Sequence, residues 1–154
     1  MTSSHPLWWI GLLALLLTAC SASDNTDSQI QVEVNESQAH YFLESLTLVE
    51  HAGRQLQSVD ATQILLEQAL LDMDAGMALA FKVDSLFLNK LDVRLGKNYQ
   101  RYFVEGVQTY RLGIEAADQD EQKMGLLLLS RWAQFWGNSQ SAILQKLDVK
   151  KKTQ

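Results

Sequence analysis

The sequence predicts an all-α fold, an up-down four-helix bundle, and three observations carry that prediction. The only proline, Pro6, precedes everything from Asn35 onward. Apolar residues recur beyond that point at spacings of three and four, the period of a helix with one buried face. Three capping pairs, Asn35/Gln38, Asp60/Gln63 and Asp118/Glu121, each set a short oxygen-bearing side chain three residues before Glu or Gln. A length of 154 residues fits one domain, and 47% hydrophobic residues exclude disorder for the bulk of the chain. One cysteine excludes a disulfide framework. A net charge of −5 leaves no basic footprint for nucleic acid.

In chain order, Leu7 to Ala19 is an unbroken apolar run of thirteen residues. A bilayer-spanning helix needs about 20, so the run suits the hydrophobic region of a secretory signal peptide, residues 1–19. It ends Leu17-Thr18-Ala19-Cys20. This resembles the lipobox of bacterial lipoproteins, in which the signal is cut before a cysteine that then carries the lipid. The n-region departs from the usual pattern, with His5 but no Lys or Arg. The resemblance implies a mature chain starting at Cys20 with three acyl chains, palmitate among them, enough for stable anchoring. Ser21 stands where lipoproteins kept at the inner membrane commonly carry Asp. The resemblance therefore implies the inner leaflet of the outer membrane, facing the periplasm.

Residues 20–34 are expected to be a tether. Ser21 to Gln29 is small, polar and acidic, and Ile30 to Val34 alternates in the manner of an extended segment. The helical domain, 35–150, follows. Its first helix carries Ala39, Phe42, Leu43, Leu46, Val49, Gly53 and Leu56 on one stripe. The second, about Asp60 to Leu95, has a main stripe through Leu66, Leu70, Met73, Met77, Phe81, Asp84, Leu88, Leu91 and Leu95. A second row through Ile64, Leu71, Ala75, Leu79, Leu86 and Val93 makes it apolar on two sides, so it is expected to be central. Asp72 to Gly76 is the place where it could break. A third helix starting at Asn98, after a glycine stop at Gly96, lines up Tyr99, Tyr102, Phe103, Gly106, Val107, Tyr110 and Gly113. The fourth repeats Met124, Leu128, Trp132, Phe135, Ser139, Ile143 and Leu147. Leu126, Ala133 and Leu144 form a separate row, either exposed or covered by the second helix.

Little in the chain points to chemistry. His40 and His51 are eleven residues apart, about 16 Å along a helix, and cannot share an ion. No Glu-x-x-His occurs, and an EF-hand counted from Asp72 or Asp118 meets Val83 or Leu129 where glutamate belongs. With Cys20 acylated, no nucleophile elbow and no phosphate loop, the sequence assigns no catalytic residue, no metal and no cofactor, and the protein is not expected to be an enzyme.

Two features remain as candidate binding sites. Asp84, in the middle of an apolar stripe, is either the floor of a pocket, a buried hydrogen bond fixing register, or a residue left at the wet edge of a bundle seam. Tyr102, Tyr110, Trp132 and Trp136 either pack closely around the helical glycines or line a cleft for an apolar ligand or partner helix. The expected role is a membrane-anchored periplasmic lipoprotein that binds another envelope protein, an assembly accessory factor. In architecture alone this layout resembles the lipidated helical pilotins of secretion systems. The alternative is a carrier of a small apolar ligand.

Overall fold

The computed structural model describes residues 24–57 and 63–152, with side chains described for residues 35–57 and 63–147. The lipobox and its lipidation residue, Leu17, Thr18, Ala19 and Cys20, lie outside the described residues. So does the capping residue Asp60. The chain divides into two units, Met1–Val34 and Asn35–Gln154.

The chain is all-α, with no strand among the described residues. The order is α1 (Asp24–Leu56), α2 (Gln63–Ala80), α3 (Ser85–Leu91), α4 (Leu95–Asn98), a π-helical stretch (Tyr99–Val104), α5 (Glu105–Glu115) and α6 (Gln119–Lys152). The backbone is continuous from α4 through the π stretch into α5, which leaves five helical runs among the described residues, one more than expected.

Three expectations are corrected at the start of α1. The backbone is already helical at Asp24, so Ile30 to Val34 is not extended and the stretch from Asp24 is not coil. Asn35 lies inside the helix and starts nothing. Gln38, its expected capping partner, has a different task. Its Nε2 donates to the carbonyl of Lys82 at 3.0 Å, and its Oε1 accepts from the backbone N–H of Asp84.

That clamp sits on the break between α2 and α3. The second segment is interrupted there, at Phe81 to Asp84, and not at Gly76. Gly76 is buried well inside α2, where a Cβ would lie 3.2 Å from the carbonyl oxygen of Ser45. Helix α2 therefore approaches α1 at backbone distance. Its buried face is Ala69, Met73, Gly76, Met77 and Ala80. The second row is exposed: Ile64, Leu71, Leu86 and Val93 are between 61% and 81% accessible. The segment is thus buried on one side only, and it is not the central element.

Helix α3 is short, seven residues, and buries Phe87, Leu88 and Leu91. Beyond it, Asp92 Oδ1 accepts from the backbone N–H of Arg94 at 2.8 Å, which turns the chain into α4. That bond, then the Arg94 side chain, holds the Asp92 carboxyl below its ordinary range. Asn98 is no helix start, since α4 begins at Leu95. Gly96 is no helix stop either. It is buried, and a Cβ there would meet Asn89 Oδ1 at 2.6 Å.

Helix α5 ends in a Schellman turn. The N–H of Asp118 bonds to the carbonyl of Gly113 at 2.8 Å and that of Ala117 to Ile114 at 3.2 Å, with Ala117 at φ 53°. Asp118 then caps α6 as expected, its Oδ1 accepting from Asp120 and Glu121 at 2.9 and 3.1 Å. This tight turn lays α6 back along α5. The two approach through glycine, since a Cβ on Gly125 would stand 2.6 Å from Tyr110 Cα and one on Gly113 2.6 Å from the backbone nitrogen of Gln122.

Candidate functional site

The core is an aromatic cluster contributed by α1, the π stretch and α6. Tyr99 and Phe103, four residues apart in the π stretch, stack at 5.0 Å. Trp132 and Trp136, four apart on α6, stack at 5.6 Å. Trp132 joins the two pairs, edge-on to Tyr99 at 5.7 Å and tilted against Phe103 at 5.5 Å. Phe42 of α1 meets Tyr99 and Trp136 edge-on, and Phe135 completes the rim against Trp132. Edge-to-face and offset geometries of this kind place the positive ring edges on negative faces, adding to the burial itself.

The π stretch sets this cluster. The N–H of Glu105 bonds to the carbonyl of Gln100, five residues back, so one extra residue is accommodated between Tyr99 and Val104. Val104 is thereby turned inward to full burial, while Tyr102 is only half-buried.

One polar chain runs through the cluster. Ser45 Oγ donates to the carbonyl of Phe42 at 2.7 Å and lies 2.7 Å from the Tyr99 hydroxyl. With the serine proton committed to the carbonyl, the phenol is the donor to Ser45. Burial pushes the Tyr99 phenol well above its ordinary range, the hydrogen bond to Ser45 opposing this only in part. The folded state thus favours the protonated phenol. Its contribution to stability is intact below about pH 10, where unfolded tyrosine ionises, and is lost as the pH rises beyond that. Urea unfolding followed by circular dichroism should show stability falling by up to about 1.4 kcal/mol per pH unit above pH 10. Tyr99→Phe should remove Tyr99's share of that slope at a cost near 1 kcal/mol at neutral pH.

The structure brings only part of the sequence-selected set together. Trp132, 6% accessible, and half-buried Trp136 belong to the cluster. Tyr102 stands at its edge, with the guanidinium groups of Arg101 and Arg131 at 5.8 and 5.9 Å from its ring. Tyr110 is the residue against which Gly125 packs. Of the four, Tyr110 packs closely against a glycine, while Trp132 and Trp136 pack against other rings.

Asp84 is elsewhere. It is exposed at the start of α3, where its Oδ1 accepts from the backbone N–H of Leu86 at 2.8 Å. It is a helix cap, neither a pocket floor nor a buried register bond, and of the three readings the exposed wet edge is the one it meets. The buried polar pair is Tyr99 with Ser45, which the sequence reading passed over. Ser45 lies three residues after Phe42 and four before Val49, in phase with the buried stripe, and that phase was the available signal.

Polar pairs on the surface tie helices together. His51 Nδ1 of α1 is 2.6 Å from Asp72 Oδ2 of α2, and Gln68 donates to the other oxygen of that carboxylate. Arg111 of α5 bonds Asp74 of α2 and Glu115, which raises its already high pKa. Among the described residues no three His, Cys, Asp or Glu side chains gather as metal ligands, and no helix is long and apolar enough to cross a membrane. No protein-family model matches the chain, and no match is found among the curated proteins or the solved structures.

Proposed function

We propose that this chain is a lipid-tethered adaptor of the bacterial envelope. In this reading the signal is cut before Cys20, the cysteine is acylated, and the helical domain faces the periplasm at the outer membrane. There it binds another envelope protein. The observation that supports the binding role is the outward row of α2, where Ile64 and Leu71 are 76% and 61% accessible two turns apart, with Ala75 and Ala78 also exposed. Large apolar side chains repeated on one helical face favour docking of a protein surface over contact with water. Tethering raises the effective concentration of even a weak partner.

The competing role, a carrier of a small apolar ligand, needs space between the aromatic rings. The rings instead meet each other at 5.0 to 5.8 Å, the separation of packed aromatic pairs.

The test is a mild cross-linking pull-down of the full-length protein from native membranes, beside Cys20→Ala and an Ile64→Asp/Leu71→Asp double variant. A discrete partner is expected from the parent. Its capture should fall in Cys20→Ala, which should leave the membrane fraction, and disappear in the double variant with helicity unchanged. Unaltered membrane retention of Cys20→Ala would overturn the anchor. Undiminished capture by the double variant would overturn the α2 surface.

A further inference from the structure

The α6 row of Leu126, Ala133 and Leu144 is exposed and not covered by α2, but nothing along it names an occupant. A charged face elsewhere does. The chain carries more acid than base, yet the stretch from Lys90 to Arg101 has four cations, Lys90, Arg94, Lys97 and Arg101, and one acid, Asp92. Arg94, Lys97 and Arg101 are three and four residues apart, which sets them on one side of a helix, and all three are exposed. The other side is the buried one, with Leu95, Gly96, Tyr99 and Phe103.

Arg131 joins this row from α6. Its guanidinium lies 5.9 Å from the centre of the Tyr102 ring, and that of Arg101 lies 5.8 Å from the same ring. Arg94 leans over Phe135, one turn further along α6, at 5.7 Å. The two helical runs thus present their cations along one seam. Asp92 is paired with Arg94. Among the described residues no carboxylate stands within 4 Å of Lys97, Arg101 or Arg131. Glu105, exposed one turn beyond Arg101, is the acid at the end of the row.

Cations left without carboxylates call for an anionic occupant, and two neutral side chains make that occupant a lipid surface. Val93, at the turn where the row opens, is 81% accessible, more than any other large apolar residue described. An apolar side chain beside cations suits a surface with phosphate outside and hydrocarbon beneath. Tyr102, half-buried beside the two guanidinium groups, has the apolar body and polar tip that settle at headgroup level. The net charge of −5 does not oppose the contact. At physiological salt, exposed charges beyond ~8 Å are screened, so the row itself governs the encounter.

We propose that Arg94, Lys97, Arg101 and Arg131 form a docking face for an anionic phospholipid surface, with Val93 entering the headgroup layer. The contact needs neither Cys20 nor the α2 row, so it and the adaptor role can fail separately. Each cation close to such a surface multiplies the contact equilibrium about fivefold. That is weak for a free chain and sufficient for one tethered beside the membrane.

The chain has one cysteine, so full-length Cys20→Ala/Val93→Cys offers a single thiol for a polarity-sensitive fluorophore. Vesicles of phosphatidylcholine, with and without phosphatidylglycerol, are the probe. Any insertion of residues 7–19 is common to both vesicles, and a dye at position 93 does not read it. A blue shift is expected with phosphatidylglycerol, absent without it and reversed by high salt. The same dye at Gly137→Cys, about 120° around α6 from Arg131, should not respond. Lys97→Gln/Arg101→Gln/Arg131→Gln should weaken the contact roughly 100-fold with helicity unchanged, since all three residues are exposed. Glu105→Gln should strengthen it about fivefold. Equal signals with the two vesicles overturn the proposal, as does a shift indifferent to the triple variant. Loss of a cross-linked partner in the triple variant without a vesicle response also overturns it, and makes the row a contact for an acidic protein.

Discussion

Trp132→Ala is expected to lower the unfolding free energy by about 4 kcal/mol, a large part of the 5–15 kcal/mol that holds an ordinary domain together. Trp132 is 6% accessible and touches Tyr99, Phe103, Phe135 and Trp136. Its removal deletes the ring that joins the Tyr99–Phe103 stack of the π stretch to Trp136 of α6. The neighbours cannot collapse into the space, because Tyr99 is held by its bond to Ser45 and Phe42 by its contacts with Tyr99 and Trp136. Denaturant unfolding followed by far-ultraviolet circular dichroism measures the loss. Trp136→Ala, at a half-buried position, should cost less. A loss below about 1 kcal/mol for Trp132→Ala would mean that the ring cluster is not the centre of stability.

Gly125→Ala should be the next most damaging single change, at about 2 kcal/mol. The added methyl carbon would stand 2.6 Å from Cα and Cβ of Tyr110, and a backbone atom cannot turn aside as the end of a flexible side chain does. Separating α5 from α6 costs up to about 3 kcal/mol as overpacking, and alanine's better helix propensity returns up to about 1 kcal/mol. Gly53→Ala supplies the control. Nothing lies within 4 Å of a Cβ there, so only the propensity gain remains and the protein should be stabilised. Opposite signs for one chemical change separate close approach from intrinsic helix preference. Equal signs would rule out the glycine contact between α5 and α6 as a determinant of stability.

Much of the fold could be read locally. The absence of proline after Pro6 and the apolar spacing identified the helical class, and Asp118 caps α6 where its pairing with Glu121 placed a start. What could not be read depends on distant residues. Apolar residues keep helical phase across Phe81 to Asp84, which hides the break. The chain turns there because Gln38, 46 residues before Asp84, satisfies backbone groups on both sides of the turn. The same side chain explains the misplaced start of α1, since a glutamine bonded to Lys82 and Asp84 is not closing a capping box at Asn35. The candidate site divides in the same way. Trp132 lies on the stripe expected of the last helix, whereas Trp136, one turn on, lies beside it. Tyr102 and Tyr110 were grouped with them on the assumption of a regular α-helical period through residues 99–110, and the π stretch breaks that period. The α2 row of Ile64 and Leu71 was legible as apolar, but whether another helix covers it is a property of the assembled bundle.

The extra residue of the π stretch acts as an indexing device between two halves of one rod. It fixes the rotational phase of α5 relative to α4. Deleting one residue between Gln100 and Val104 would let the backbone close into an ordinary α-helix with every hydrogen bond made. It would also rotate everything downstream by about 100°. Gly106 and Gly113 would then point away from α6, and side chains with volume would arrive where only glycine fits. The glycine seam and the π stretch are therefore one unit of inheritance. A lineage could lose the insertion only by rewriting both faces of α5 at once, so the irregular turn should persist as long as the close packing of α5 on α6 does.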